Sequence, residues 1–254
     1  MEPLLGSAEL ERLARADALL AFDFDGTLAP IVDDPSRAAL RPVTRRLLAQ
    51  VAQLYPCAVI SGRAEGQVRE LLAGVTVWYA VGNWYLDDPA LIEQRFQAVR
   101  GWLGPLRERL DGLRGVAIED KGVSLAIHYR AAADRAQARD AIREAAGLLE
   151  QVRIVTGKEA LHLLPEGAAD KASVLDRLRA QVGCDVTLYV GDDGTDESAF
   201  ASGPSVVGVR VGSSGASAAR FYLRGQEEID DLLERLVDLR ARKAIPPERR
   251  RRGS

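Results

Sequence analysis

The stretch Leu19-Leu20-Ala21-Phe22-Asp23-Phe24-Asp25-Gly26-Thr27-Leu28 is a short apolar run that ends abruptly in two carboxylates and a glycine. It predicts a buried strand of a parallel sheet, because such strands are apolar on both faces and open α/β sheets place their chemistry beyond the strands' carboxyl ends. The i, i+2 spacing sends Asp23 and Asp25 to the same side of an extended chain. Gly26 and Thr27 permit a tight turn and offer donors to an anion. One carboxylate can attack while the other moves protons. An EF-hand calcium loop fits poorly, since its glycine stands at the sixth position among alternating oxygen ligands. The plain alternative is an acidic turn after a strand, and the rest of the chain decides between the two.

Three further pieces follow in order. Cys57-Ala58-Val59-Ile60-Ser61-Gly62-Arg63 is another apolar strand, ending in a hydroxyl, a glycine and a guanidinium. Ser61 can donate a hydrogen bond, Gly62 lets the backbone approach closely, and Arg63 can pair with an anionic or polyhydroxylated ligand. Lys171 opens the helical run Ala172 to Leu178 behind the Pro165-Glu166-Gly167 turn, adding a full charge to a helix start that already favours anions. Val186-Thr187-Leu188-Tyr189-Val190-Gly191 then leads into Asp192-Asp193-Gly194-Thr195-Asp196-Glu197. So many carboxylates after a buried strand repel one another unless a cation offsets them, and hard oxygen donors of this kind suit Mg²⁺.

These four pieces resemble the ordered motifs of the haloacid dehalogenase superfamily and, within it, the trehalose-6-phosphate phosphatase family. Glu119 to Arg130 and the ending from Val209 to Leu223 are also similar to that family, and the likeness runs from about residue 18 to 240. It implies a doubly wound, Rossmann-like parallel-sheet core with a smaller α/β cap inserted between the second and third motifs. It implies a Mg²⁺-dependent phosphomonoesterase acting on a sugar phosphate, most simply trehalose 6-phosphate, through an aspartyl-phosphate. Asp23 would attack phosphorus, Asp25 would serve as acid and base, and Lys171 and Ser61 would neutralise charge. Asp23, the Asp25 backbone carbonyl and Asp192 would hold the metal, with Asp193 and Asp196 orienting or completing the shell. Gly62, Arg63, Asn83, Glu119, Lys121, Arg130 and His162 would face the substrate. The chain departs from the family at Val81-Gly82-Asn83-Trp84-Tyr85, where a His-Gly pair is usual, and at His162, where a glutamate is usual. Imidazole offers a hydroxyl something different from a carboxylate. Another disaccharide-like or pseudo-sugar phosphate is therefore the alternative substrate. A phosphotransferase or mutase, or a catalytically silent regulatory module, are the alternative functions.

Organisation agrees with two domains. The 254 residues are near the size where one core splits. Helical patterns run from Ser7 to Ala18 and from Val43 to Leu54, alternating with the strands above. From about Asp87 the texture changes: a helix over Leu91 to Trp102, a break at Gly101 to Pro105, strands near Val116–Ile118 and Val123–Tyr129, a helix over Asp134 to Leu149, then strands at Arg153–Val155 and Ala160–Leu164. The expected division is 1–86 with 166–245 as core and 87–165 as cap, with hinges near Leu86–Pro89 and Pro165–Gly167. Residues 246–254 form a basic tail, expected to be disordered. His128 reads as a packing or hydrogen-bonding residue and Lys158 as an exposed loop lysine, with reach into the cleft as its alternative. A net charge of −3 and a pI near 5.6 give no support for a nucleic-acid or anionic-membrane partner. No stretch has the length or pattern of a membrane span or signal peptide, so a cytoplasmic, monomeric protein is expected. Cys57 and Cys184 read as core thiols.

Overall fold

The computed structural model describes residues 1–32, 34–82, 89–212 and 215–244. Asn83, Trp84, Tyr85, residues 86–88 of the first expected hinge and the 246–254 tail lie outside the described residues. The elements in chain order are β1 (Glu2–Pro3), α1 (Ala8–Arg15), β2 (Ala18–Phe22), α2 (Pro42–Leu54), β3 (Cys57–Ile60), α3 (Glu65–Leu71), β4 (Tyr79–Val81), α4 (Pro89–Leu110), β5 (Ala117–Asp120), β6 (Leu125–His128), α5 (Arg135–Gly147), β7 (Val152–Gly157), β8 (Ala160–Pro165), α6 (Lys171–Val182), β9 (Val186–Gly191), α7 (Glu197–Phe200), β10 (Val206–Val211), β11 (Phe221–Leu223) and α8 (Glu228–Ala244).

The larger sheet has the order β1-β11-β10-β9-β2-β3-β4, and its neighbours pair in parallel. β2 sits at the centre between β3 and β9, with Phe22 opposite Val190 and Val59. Successive residues enter opposite layers. Leu20 and Phe22 pack with Leu10, Leu48, Val51 and Leu232 under α1, α2 and α8, whereas Leu19 and Ala21 pack with Val174, Leu175 and Phe200 under α6 and α7. A strand apolar on both faces is therefore covered by helices on both faces, the situation its sequence demands. Strand order reverses around β2, so β2, β3 and β9 end side by side at the carboxyl end of the sheet, the place where open α/β sheets hold their ligands.

The smaller sheet is antiparallel, in the order β5-β6-β8-β7. It has its own apolar cluster, formed by Leu125, Ile127, Leu161 and Leu163 from the strands with Val99, Trp102 and Leu106 of α4 and Ile142 of α5. Val123, Leu125, Ile127 and Tyr129 are buried on one face as their alternation requires, but Ser124 and Ala126 on the other face are buried too.

Two local expectations need correction. The first helix ends at Arg15, with Ala16 as its cap, and Ala18 already belongs to β2. The expected break at Gly101 to Pro105 does not occur: α4 runs through Pro105 as one helix. Val99, Trp102, Leu106 and Leu110 lie on one buried face that spans the proline, and this packing outweighs the lost backbone donor. The two-residue β1 was not foreseen; it extends the sheet edge beside Phe221 and Tyr222.

Candidate active site

Asp23 follows directly on β2, and its backbone N–H still donates to Val190 O across the sheet at 2.8 Å. The chain then turns sharply. Gly26 N donates to Ala29 O and Ala29 N to Phe24 O, each at 2.8 Å, while Gln226 Nε2 donates to the carbonyls of Thr27 and Leu28 and holds the turn from behind. Gly26 has φ +84, and a Cβ there would stand 2.3 Å from Asp192 Oδ2. Only glycine lets the first motif lie against the carboxylate of the fourth.

Lys171 is at the first position of α6, behind the N-cap Asp170, and is 2 % exposed rather than a solvated helix-end lysine. Its Nζ donates to Asp23 Oδ1 at 2.7 Å and to Asp196 Oδ1 at 2.5 Å. Asp196 is fully buried and saturated. Beyond Lys171 it accepts from Tyr189 OH at 2.7 Å, from Asp192 N at 2.9 Å and from Asp193 N at 3.0 Å. Asp193 caps the following turn, accepting from Thr195 N and Thr195 Oγ1 at 2.6 Å each. Tyr189 is a member of this network that sequence reasoning missed, because within a strand it is indistinguishable from a core aromatic.

The electrostatics follow from this packing. Burial pushes the Asp23 carboxyl well up, Asp196 and Asp192 add to the shift, and Lys171 opposes it. Burial pushes Asp192 up to about 7, reinforced by Asp193 and Asp196. Lys171 moves the other way from what burial alone would do, since Asp196 and Asp23 hold its ammonium form. Asp193 is lowered, because Lys171 and the Thr195 donors outweigh its burial. More negative charge is gathered here than one lysine offsets. Carboxylate oxygens of Asp23, Asp192 and Asp196 all lie within 4.8 Å of one another, the only such grouping of possible metal ligands among the described residues. Hard oxygen donors, surplus negative charge and a glycine cradle fit a divalent cation such as Mg²⁺.

Ser61 follows β3, is buried, and its Oγ accepts from Arg63 N at 3.2 Å. Gly62 lies between them at the strand end. Arg63 turns the Nε–Nη2 edge of its guanidinium to Asp25: Nε donates to Asp25 Oδ2 and Nη2 to Asp25 Oδ1, each at 2.6 Å. The inserted α/β unit supplies the facing groups. Glu119 is held by His128 Nε2 at 2.9 Å and by Lys121 at 3.7 Å, and the His128 bond, with Lys121 and Arg63 also acting, lowers its carboxyl to about 2. Arg130 pairs with Glu159 at 3.0 Å. His162 is neutral: burial lowers it to about 4, against the pull of Asp193. A Cβ at Gly157 would meet His162 Nε2 at 2.5 Å and Asp193 Oδ2 at 2.9 Å, so the histidine and the motif carboxylate flank one glycine. One at Gly194 would run into the carbonyl of Thr156, so the β7–β8 hairpin lies directly on the carboxylate loop. That hairpin brings Lys158 Nζ to 3.7 Å from Asp192 Oδ2, although the side chain is 59 % exposed. Lys158 is thus in the site and not merely a loop lysine.

A central strand ending in Asp-x-Asp-Gly-Thr, a serine after the neighbouring strand, a helix-start lysine and a following carboxylate loop together define a member of the haloacid dehalogenase superfamily. The comparison with known proteins narrows this. A family profile described as Trehalose-phosphatase matches residues 21–83 and 101–225. The trehalose-phosphate phosphatase of Mycobacterium marinum is 34 % identical over 253 residues, covering 90 % of this chain, and that of Mycolicibacterium paratuberculosis is 35 % identical over 265 residues, covering 93 %. The chain spans 65 % and 66 % of the lengths of these two relatives. Among solved structures, the C-terminal domain of the C. albicans trehalose-6-phosphate phosphatase superposes with a TM-score of 0.74 at 22 % identity, covering 94 % of this chain and 98 % of that one. The sucrose-phosphatase of Synechocystis sp. PCC6803 shares the fold with a TM-score of 0.58 at 17 % identity, over 88 % and 98 %. The chain belongs to the trehalose-phosphatase family.

Proposed function

We propose that the protein is a Mg²⁺-dependent phosphatase that hydrolyses a sugar phosphate, trehalose 6-phosphate first among candidates, through a phosphorylated Asp23. The observation that carries this reading is the position of Asp23: it stands at the carboxyl end of the central strand, bonded to a buried ammonium at 2.7 Å and within 4.8 Å of Asp192 and Asp196. Asp23, Asp192 and the Asp25 backbone carbonyl would hold the metal. Asp196 orients the set, because its two oxygens already accept four hydrogen bonds. Bound there, Mg²⁺ would neutralise charge on the transferring phosphoryl group.

The residues divide the chemistry between them. An Asp23 oxygen forms a bond to phosphorus while the bond to the sugar oxygen breaks, and Asp25 gives that oxygen its proton. Asp25, now a carboxylate, takes a proton from water as the water oxygen bonds to phosphorus. The Asp23–phosphorus bond then breaks, restoring Asp23 and releasing phosphate. Lys171 keeps Asp23 oriented and balances its charge, and Ser61 is placed to donate to the phosphoryl oxygens. Residues 87–165 act as the cap, excluding bulk water and offering Glu119, Lys121 and Arg130 to sugar hydroxyls. His162 and Asp193 flank Gly157, and a neutral imidazole there can donate as well as accept toward a hydroxyl. That observation favours a substrate range broader than trehalose 6-phosphate alone.

The test is phosphate release by the purified protein with Mg²⁺ from trehalose 6-phosphate, sucrose 6-phosphate, glucose 6-phosphate and other sugar phosphates. Hydrolysis of trehalose 6-phosphate, with phosphate formed equal to substrate lost, is expected. Release from none, or less phosphate than substrate consumed, would overturn the reading, the second outcome in favour of a phosphotransferase.

A further inference from the structure

We propose that Arg63 is a positioning residue for Asp25, fixing the carboxylate that moves protons, and is not a ligand of the phosphate. The inference rests on the phosphatase reading above. One edge of the guanidinium, Nε and Nη2, is committed to the two oxygens of a single carboxylate, at 2.6 Å each. Such a parallel fork fixes the plane of the carboxylate as well as its place, which a lysine at the same position cannot do. Asp25 needs the constraint. It precedes a glycine with φ +84, and its side chain is 38 % exposed, whereas the Arg63 side chain is 13 % exposed. The guanidinium is itself anchored at other points. Its carbon lies 5.9 Å from the Phe24 ring centroid, and its backbone N–H donates to Ser61 Oγ at the end of β3. Arg63 also feels the charges of Asp23 and of Glu119, the latter from the inserted unit. It therefore stands between the nucleophile's turn and the cap, balancing acidic groups on both sides.

The consequence is specific to proton movement. When the ester oxygen leaves as an alkoxide, it must collect the Asp25 proton as its bond to phosphorus breaks. When it leaves as 4-nitrophenolate it needs none. Hydrolysis of the phosphorylated Asp23 needs Asp25 in either case, since water must surrender a proton as it attacks.

Arg63→Met and Arg63→Lys would be compared with wild type on ethyl phosphate and 4-nitrophenyl phosphate, neither of which carries a sugar. Thermal melting confirms that each variant is folded. In Arg63→Met, kcat for ethyl phosphate should fall on the order of a hundredfold, the usual worth of a positioned acid or base, with KM within about twofold. The first turnover of 4-nitrophenyl phosphate should stay within about threefold of wild type and appear as a burst equal to the enzyme concentration, followed by a slow steady state. Arg63→Lys should fall between the two on ethyl phosphate. A rise in KM of about tenfold or more for both substrates with kcat kept would make Arg63 a phosphate ligand and overturn the proposal. So would equal loss in the first turnover of both substrates, or full kcat in Arg63→Lys. Release of phosphate by the wild type from neither of these nor from any of the sugar phosphates above would instead strike at the phosphatase reading from which this one starts.

Discussion

Replacing Gly26 by alanine separates the backbone demand of the first motif from its role in the carboxylate cluster. The added Cβ would stand 2.3 Å from Asp192 Oδ2 and 2.4 Å from its carboxyl carbon, whereas ordinary contact begins at 3.4 Å. Asp192 must therefore retreat by about 1 Å, a large displacement for a Mg²⁺ ligand whose bonds are held near ~2.1 Å. A misplacement of that size costs on the order of a hundredfold in rate. The left-handed backbone at φ +84 adds a stability penalty of about 1–2 kcal/mol. Gly74 supplies the control, since it has the same φ of +84 but nothing within 4 Å of an added Cβ. Gly74→Ala should show the stability loss alone. Urea unfolding would measure the first effect, and phosphate release across a Mg²⁺ titration the second. Gly26→Ala is expected to weaken Mg²⁺ dependence and rate together, by about a hundredfold in kcat/KM at fixed metal. If it kept Mg²⁺ affinity and rate within about threefold of Gly74→Ala, the claim that Asp192 must hold its present place would be refuted.

Other outcomes follow from the same geometry. EDTA should silence phosphate release and Mg²⁺ restore it, and Asp192→Ala should lose metal binding in calorimetry while the surface change Asp140→Ala does not. Lys158→Ala should bind Mg²⁺ about three- to tenfold more tightly in the absence of substrate, because a cation 3.7 Å from Asp192 is removed; weaker binding would contradict the contact. His162 is lowered in the fold from 6.5 to about 4, so as pH falls through that window the unfolded chain takes up a proton that the fold refuses. Stability should therefore drop between about pH 6.5 and 4 and do so less steeply in His162→Gln, which denaturant midpoints across pH would show.

Much of the site was legible because its groups stand at the ends of buried strands, where local sequence reports both the strand and the abrupt change to polar residues. Asp23, Ser61 and the Asp192 loop belong to that class. What was not legible depended on contacts between distant segments. Lys158 sits in a hairpin turn without local signal, and its approach to Asp192 comes only from the docking of β7 and β8 on the carboxylate loop. Arg63 reads equally well as an anion ligand until the folded chain commits its fork to Asp25. Asp196 reads from sequence as one more carboxylate of the loop, and only the folded chain shows Lys171, Tyr189 and two backbone N–H groups converging on it. In the fold, Pro105 and its neighbouring glycines mark a break by local propensity, yet α4 continues because its buried face is continuous across them.

The central claim is that Asp23 carries the phosphoryl group. Borohydride added during turnover of trehalose 6-phosphate with Mg²⁺ reduces an aspartyl-phosphate to homoserine, which mass spectrometry of the digested protein locates by residue. The account predicts homoserine at position 23, dependent on substrate and Mg²⁺ and absent from an inactive Asp23→Asn variant. Sustained turnover with position 23 left unreduced, reduction at another carboxylate, or activity in Asp23→Asn above about one hundredth of wild type would contradict it.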